Sequence, residues 1–291
     1  MTRGIALVTG AGRGVGRATA ERLARGGYVV VAGVRDVPRA REEIGEPPGV
    51  HLVPLDVTRP DQVRAAAEIA TDFAGGGAID VLVNNAGYAM MAPQESGDLG
   101  VAREMFETNL WGAAAMVQAL APAMREAGRG TIVNVSSIGA RVSNPLIGFY
   151  HASKYALSAL SEALSVEMAP FGVRVVMIEP GMIDTDFSSA TRLSGGVADP
   201  ASPYAPLFGG LRAGFSEWRA RPDTSTGASC ADAIWDAVHA EDPPIRVVVG
   251  GDAAELDGAI RGAADDADFQ HRQREFLGLD WSPAPPRPRD P

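Results

Sequence analysis

Gly4-Ile-Ala-Leu-Val-Thr-Gly-Ala-Gly-Arg-Gly-Val-Gly16 begins as an apolar run and ends in a turn in which every second residue is glycine. Glycine reaches backbone angles closed to other residues and lets a ligand come close to the main chain. A helical pattern starts near residue 14, so the turn delivers the free N–H groups and dipole of a helix N-terminus to whatever lies above the strand. Both favour an anion there. The same alternation continues down the chain. Further strands are expected at 28–33, 50–55, 79–84, 130–136, 173–179 and 245–249, and helices at about 14–25, 60–73, 99–127, 149–170 and 229–240. Val29-Val-Val31 and Val173-Arg-Val-Val-Met-Ile178 are nearly continuous in apolar character, as strands covered on both faces must be. Strand and helix in strict alternation specify an α/β protein: one doubly wound parallel sheet of about seven strands, helices on both faces, ligands at the carboxyl ends of the strands.

The pattern breaks after the sixth strand. Residues 182–228 are rich in Gly, Pro, Ser and Thr around Tyr204, Leu207, Phe208, Phe215 and Trp218, and read as an irregular lid over a site. Residues 252–277 read as helical and acidic. The tail, 278–291, is proline-rich and expected to be flexible, leaving 1–277 as a single domain. A net charge of −10 argues against nucleic acid as a partner, because phosphate neutralisation needs a basic surface. The single cysteine, Cys230, cannot form an intramolecular disulfide and suits a reducing compartment. The apolar run at 5–8 is too short to be a signal peptide or to span a membrane, so a soluble cytoplasmic protein is expected. His51, His151, His239 and His271 show no metal-ligand spacing, and no metal is expected.

The chain has 25 arginines and one lysine, and that lysine, Lys154, follows Tyr150 by four residues. On a helix the two share a face. An ammonium about 4 Å from a phenol at an effective dielectric near 20 supplies roughly 4 kcal/mol, enough to bring a tyrosine pKa toward neutrality. His151 points about 100° away from Tyr150 and is expected at the rim. At the end of the second strand, Val34-Arg35-Asp36 bears on cofactor choice. Arg35, with Arg13 in the glycine turn, suits a ribose phosphate, whereas an acid would suit a free ribose; Asp36 is the competing signal, one step past the contact position. NADP(H) is therefore favoured over NAD(H).

Thr9-Gly-x-x-x-Gly-x-Gly16, Asn84-Asn-Ala-Gly87, Asn109, Ser137, Tyr150-x-x-x-Lys154 and Pro180-Gly181, in that order, resemble the short-chain dehydrogenase/reductase family with its Rossmann-type sheet. The resemblance implies that Tyr150 is the general acid/base, that Lys154 lowers its pKa and holds the nicotinamide ribose, and that Ser137 orients the substrate oxygen. It implies that Asn109 anchors a water in the proton path. Gly10, Arg13, Gly14, Val15, Gly16, Arg35, Asp56, Val57, Asn84, Ala86, Gly87, Pro180, Gly181 and Thr185 become the remaining cofactor contacts.

Tyr88, Met90, Met91, Val142, Pro145, Leu146, Phe149 and Met182, with the lid, form the expected substrate wall. Few of these positions are charged, Arg141 nearby excepted. A medium to large apolar, even polycyclic, ketone or secondary alcohol is the expected small-molecule partner. Two alternatives stand beside this reading: an NAD-dependent alcohol dehydrogenase of the same family, and a non-catalytic dinucleotide-binding regulatory protein. The resemblance also implies pairing of the 99–127 and 149–170 helices in a homodimer or homotetramer.

Overall fold

The valine-rich runs form β1 (Gly4–Thr9), β2 (Tyr28–Val34), β3 (Val50–Pro54), β4 (Val81–Asn84), β5 (Gly130–Val135), β6 (Val173–Pro180) and β7 (Arg246–Val249). The computed structural model describes residues 3–45, 47–184 and 191–277. Every pairing in the main sheet is parallel, in the order β7-β6-β5-β4-β1-β2-β3, as the alternation predicts. The chain moves outward from β1 to β3 and then returns to the other side of β1. The carboxyl ends of β1 and β4 therefore diverge and leave a crevice between their outgoing loops.

Helices α1 (Gly14–Arg25), α2 (Val37–Ile44), α3 (Pro60–Phe73), α4 (Leu99–Phe106), α5 (Gly112–Ala127) and α6 (Gly148–Met168) follow in order. After them come α7 (Ala205–Arg219), α8 (Gly227–His239), α9 (Gly251–Arg261) and α10 (Asp266–Leu277). Alternate strand residues feed two cores, as a period of two requires. Ala6, Val8, Val30, Val83, Val133 and Ile178 pack with Leu23 of α1 and Ile234 of α8. Leu7, Val31, Leu82, Ile132 and Val175 pack with Ala66 and Ala70 of α3 and Met116 and Leu120 of α5. Both faces of the sheet are covered, which is why the central strands read as continuous apolar runs.

The structure corrects the sequence reading in three places. The 99–127 helix is interrupted by a π turn at Glu107–Trp111, around Asn109. The lid is not wholly irregular: α7 occupies fifteen of its residues. Gly209, Gly210 and Gly214 lower its intrinsic propensity, while Phe208 and Leu211, buried against Met91, Leu146 and Val197, hold it as a helix. The acidic segment is two helices, and α9 sends Ala253 and Leu256 onto Ile138 and Val142 at the mouth of the crevice. The proline-rich tail lies outside the described residues. Among those described, no helix is long and apolar enough to cross a membrane.

Candidate active site

A cleft of about 1210 Å³ opens at the carboxyl ends of the strands. The glycine turn forms its floor. Gly10 has a φ of 64°, and a Cβ there would come within 2.9 Å of the Ala86 Cα. A Cβ on Gly16 would meet the Asn85 amide and the Gly10 carbonyl, so Gly16 serves packing and does not line the cleft. Thr9 Oγ1 accepts hydrogen bonds from the N–H groups of Asn85 and Ala86, both 3.0 Å, and Asn85 Nδ2 donates to the Thr9 and Gly10 carbonyls. Thr9 and Asn85 thus clamp the two loops of the crevice together. Both belong to the quoted motifs, yet the sequence assigns neither a role. Asn84, an expected cofactor contact, is buried and donates to Asn134 Oδ1 at 2.9 Å beneath the sheet end, while Ala86 and Gly87 line the cleft. Alternation of side chains along β4 separates the adjacent asparagines.

The turn fits an anionic cofactor. Arg13 is the N-cap of α1 and makes no side-chain capping bond, so the first-turn N–H groups keep their donors for a pyrophosphate. Gly14, Val15, Val34, Arg35, Asp56 and Val57 continue the wall to the far end. Arg13 and Arg35 are exposed and form no ion pair among the described residues. Asp36 Oδ1 accepts the Arg39 N–H at 3.0 Å and caps α2. Its carboxylate is therefore engaged by its own chain. At the other side Pro180, Gly181 and Met182 line the cleft, and Thr185 lies outside the described residues.

Ser137, Tyr150 and Lys154 converge deeper in the cleft. Ser137 follows β5 and hydrogen-bonds the Tyr150 phenol; its Oγ also accepts the Gly139 N–H at 3.0 Å. Ser136, also at the cleft, has its hydroxyl within 3.1 Å of Ser158 Oγ. Lys154 Nζ donates to the Val135 carbonyl at 2.8 Å and lies 5.9 Å from the Tyr150 ring centroid. This corrects the expected electrostatics. Burial pushes the Tyr150 phenol up to about 12, against the smaller opposing effect of Ser137, and pushes the Lys154 ammonium down to about 8. Desolvation governs both groups, and one donor of the ammonium is engaged by the Val135 carbonyl.

The π turn places Asn109, 1% exposed, where its side chain clasps the backbone of Tyr88: Nδ2 donates to the carbonyl and Oδ1 accepts the N–H, each at 3.0 Å. Nδ2 also reaches Ser153 Oγ, which donates to the Tyr150 carbonyl at 2.7 Å. Asn109 does not line the cleft; it braces the loop after β4 against the helix carrying Tyr150 and Lys154. A π turn at such a point is a recurrent mark of functional sites. His151 is buried, not on the rim. Its Nδ1 accepts the Asn144 N–H at 3.0 Å, it hydrogen-bonds the backbone of Val142, and burial lowers its pKa to about 4. It is a neutral staple for the loop that follows Ser137.

Tyr88, Met91, Val142 and Met182 line the cleft; Met90, Pro145, Leu146 and Phe149 do not. Met90 alternates with Met91 and points into a core with Met105. Phe149 is turned about 100° from Tyr150. Leu146, with a φ of 61°, packs beneath α7. The sequence also concealed Asp252. This buried residue of α9 accepts the Met182 N–H at 2.6 Å, and burial raises its pKa against that bond. No local pattern links residues seventy positions apart.

The family model described as short chain dehydrogenase matches residues 4–194. The chain is 34% identical over 246 residues to 3-ketodihydrosphingosine reductase of Bacteroides thetaiotaomicron, covering 84% of this chain and 87% of that protein. It is 31% identical over 269 residues to Oxidoreductase BOA17 of Botryotinia fuckeliana, covering 92% and 96%. Among solved structures, a short-chain dehydrogenase from Streptomyces avermitilis superposes with a TM-score of 0.78 at 33% identity, covering 94% and 96%. A short chain dehydrogenase from Burkholderia cenocepacia in complex with NADP gives 0.71 at 32%, covering 94% and 97%.

Proposed function

This chain belongs to the short-chain dehydrogenase family, an oxidoreductase family that uses nicotinamide dinucleotides, and from that premise we propose that it is an NADP(H)-dependent reductase of a medium to large, mainly apolar ketone. The convergence of Ser137, Tyr150 and Lys154 at the base of the cleft carries the reading. When bound, the reduced nicotinamide supplies the hydride that reaches the carbonyl carbon. Tyr150 gives its phenolic proton to the carbonyl oxygen, and a pKa pushed up to about 12 keeps that proton in place at neutral pH. Ser137 Oγ donates a hydrogen bond to the same oxygen. Lys154, with a pKa near 8, is the stronger acid of the pair and restores the proton to the phenolate. Asn109 and Ser153 fix the distance between these groups and the Tyr88 wall.

The active form of Lys154 is the ammonium, whose folded pKa is depressed, so it is lost as pH rises through about 8. Reduction by NADPH should be constant below that value and decline above it; a steady-state profile still flat at pH 10 would contradict the role.

Arg13 and Arg35 support the choice of NADP(H), with Asp36 withdrawn as a helix cap. Each charge-assisted contact to a ribose phosphate is worth about 1.5–3 kcal/mol. Arg35→Ser should therefore raise the KM for NADPH by about tenfold or more and leave that for NADH little changed. An equal change for both cofactors would return the alternative of NAD use. The cofactor pool usually held reduced favours the reductive direction. Exposed Leu99, Trp111, Leu160 and Val166 on the α4–α6 surface support assembly of copies through these helices; sedimentation showing only a 30.3 kDa species at micromolar concentration would overturn that.

A further inference from the structure

Phe208, Arg212, Phe215 and Arg219 recur on α7 at intervals of four, three and four, which is one helix face, and all four line the cleft. Sequence reading gave this lid an apolar role only. The arginines change that. Arg13 and Arg35 are unpaired among the described residues at the cofactor end, but on the substrate side other arginines are neutralised: Arg192 pairs with Glu104 at 2.6 Å, and Arg141 pairs with Glu179 and Asp257. Arg212 and Arg219 form no ion pair among the described residues. Arg212 lies 5.7 Å from the Phe208 ring centroid, and the Arg219 Nε is buried without a hydrogen-bond partner.

A guanidinium donor withdrawn from water and left unmatched is unfavourable. The acids that share the cleft do not answer it. Glu104 is taken by Arg192, and Glu43 is paired with Arg39 at 2.7 Å at the far end. Neither Glu107 nor Asp252, whose Oδ2 accepts the Met182 N–H while its Oδ1 has no partner, forms an ion pair with Arg212 or Arg219. Arg212 and Arg219 are two helical turns apart, about 10 Å along the axis, a span that two flexible side chains of this length can close around one acidic group.

We infer that α7 is an anion-binding lid, and that the ketone carries a carboxylate or phosphate group that Arg212 and Arg219 hold while its apolar body lies against Phe208, Phe215 and Met91. This rests on the reductase reading for the word ketone, but the anion site stands on geometry alone. The second source of the same chemistry is the phosphate of the cofactor.

The test uses the full chain with NADP+ bound, and compares 4-benzoylbutyric acid with its methyl ester by calorimetry. The acid should bind at least tenfold more tightly than the ester. In the Arg212→Gln/Arg219→Gln double variant that preference should fall to near unity, and Arg212→Lys/Arg219→Lys should restore part of it. A phosphate monoester of a matching keto alcohol, run in parallel, tells which acid is preferred. Equal binding of acid and ester by the unaltered protein overturns the inference. So does a double variant that keeps its preference for the acid, or one whose loss falls on the affinity for NADP+. Arg-dependent binding of the acid without NADPH turnover would uphold the anion site and sink the reductase reading.

Discussion

Tyr150→Phe should lower kcat for NADPH-linked ketone reduction by roughly 10²–10⁴, the range for loss of a positioned general acid, with the NADPH dissociation constant essentially unchanged. The substitution removes one oxygen and keeps the ring, which is 8% exposed and packed with Met90 and Met105. The apolar contacts of the ring survive. What is lost is the proton and the hydrogen bond with Ser137. Removing that bond costs about 1 kcal/mol of stability, so the variant should remain folded. The loss therefore reads out chemistry and not unfolding. Steady-state oxidation of NADPH and a parallel fluorescence titration of cofactor separate the two. A variant retaining a tenth or more of the activity would show that another group delivers the proton.

The second large effect falls on stability. Glu179 is fully buried near the end of β6 and accepts hydrogen bonds from Arg141 Nε at 2.7 Å and from Arg246. Arg141 extends to Asp257 on α9, and Arg246 to Glu162 on α6 at 2.7 Å. One carboxylate thus joins the sheet edge, α6, α9 and the turn after Ser137. Removing one member of a buried pair leaves its partners uncompensated, at about 3–5 kcal/mol. The Arg141 and Arg246 side chains keep 12% and 22% of their exposure, so partial hydration places Glu179→Ala at the lower end, about 3 kcal/mol. Glu179→Gln keeps the shape and one acceptor and should cost less. Urea unfolding of both variants orders them. A cost below about 1 kcal/mol for alanine would mean that water already screens the arginines.

Features written within one turn or one strand were legible. The glycine turn, the seven strands, and the i to i+4 spacing of Tyr150 and Lys154 depend on backbone geometry over a few residues, and sequence reading located them to within a residue or two. So were their placements in the cleft: Gly10, Arg13, Gly14, Arg35, Ala86, Gly87, Ser137 and Pro180 all line it, because each sits at the carboxyl end of a strand whose position the alternation already implied.

Properties set by what lies across the fold were not. Adjacent asparagines at 84 and 85 look alike in sequence, yet one is sealed beneath the sheet and the other clamps the glycine turn. The spacing puts Lys154 and Tyr150 on one helix at the cleft, but only the packed structure brought the ammonium to the Val135 carbonyl and let burial raise the phenol. His151 went from rim to core because the loop through Asn144 folds over it. α7 is a helix because Met91, Leu146 and Val197, all distant in sequence, cover its apolar side, and its arginines face the cleft as a consequence. Local periodicity determined the scaffold and the shared helix face of Tyr150 and Lys154; desolvation, and the direction in which each side chain points, arose only when segments far apart in the chain met.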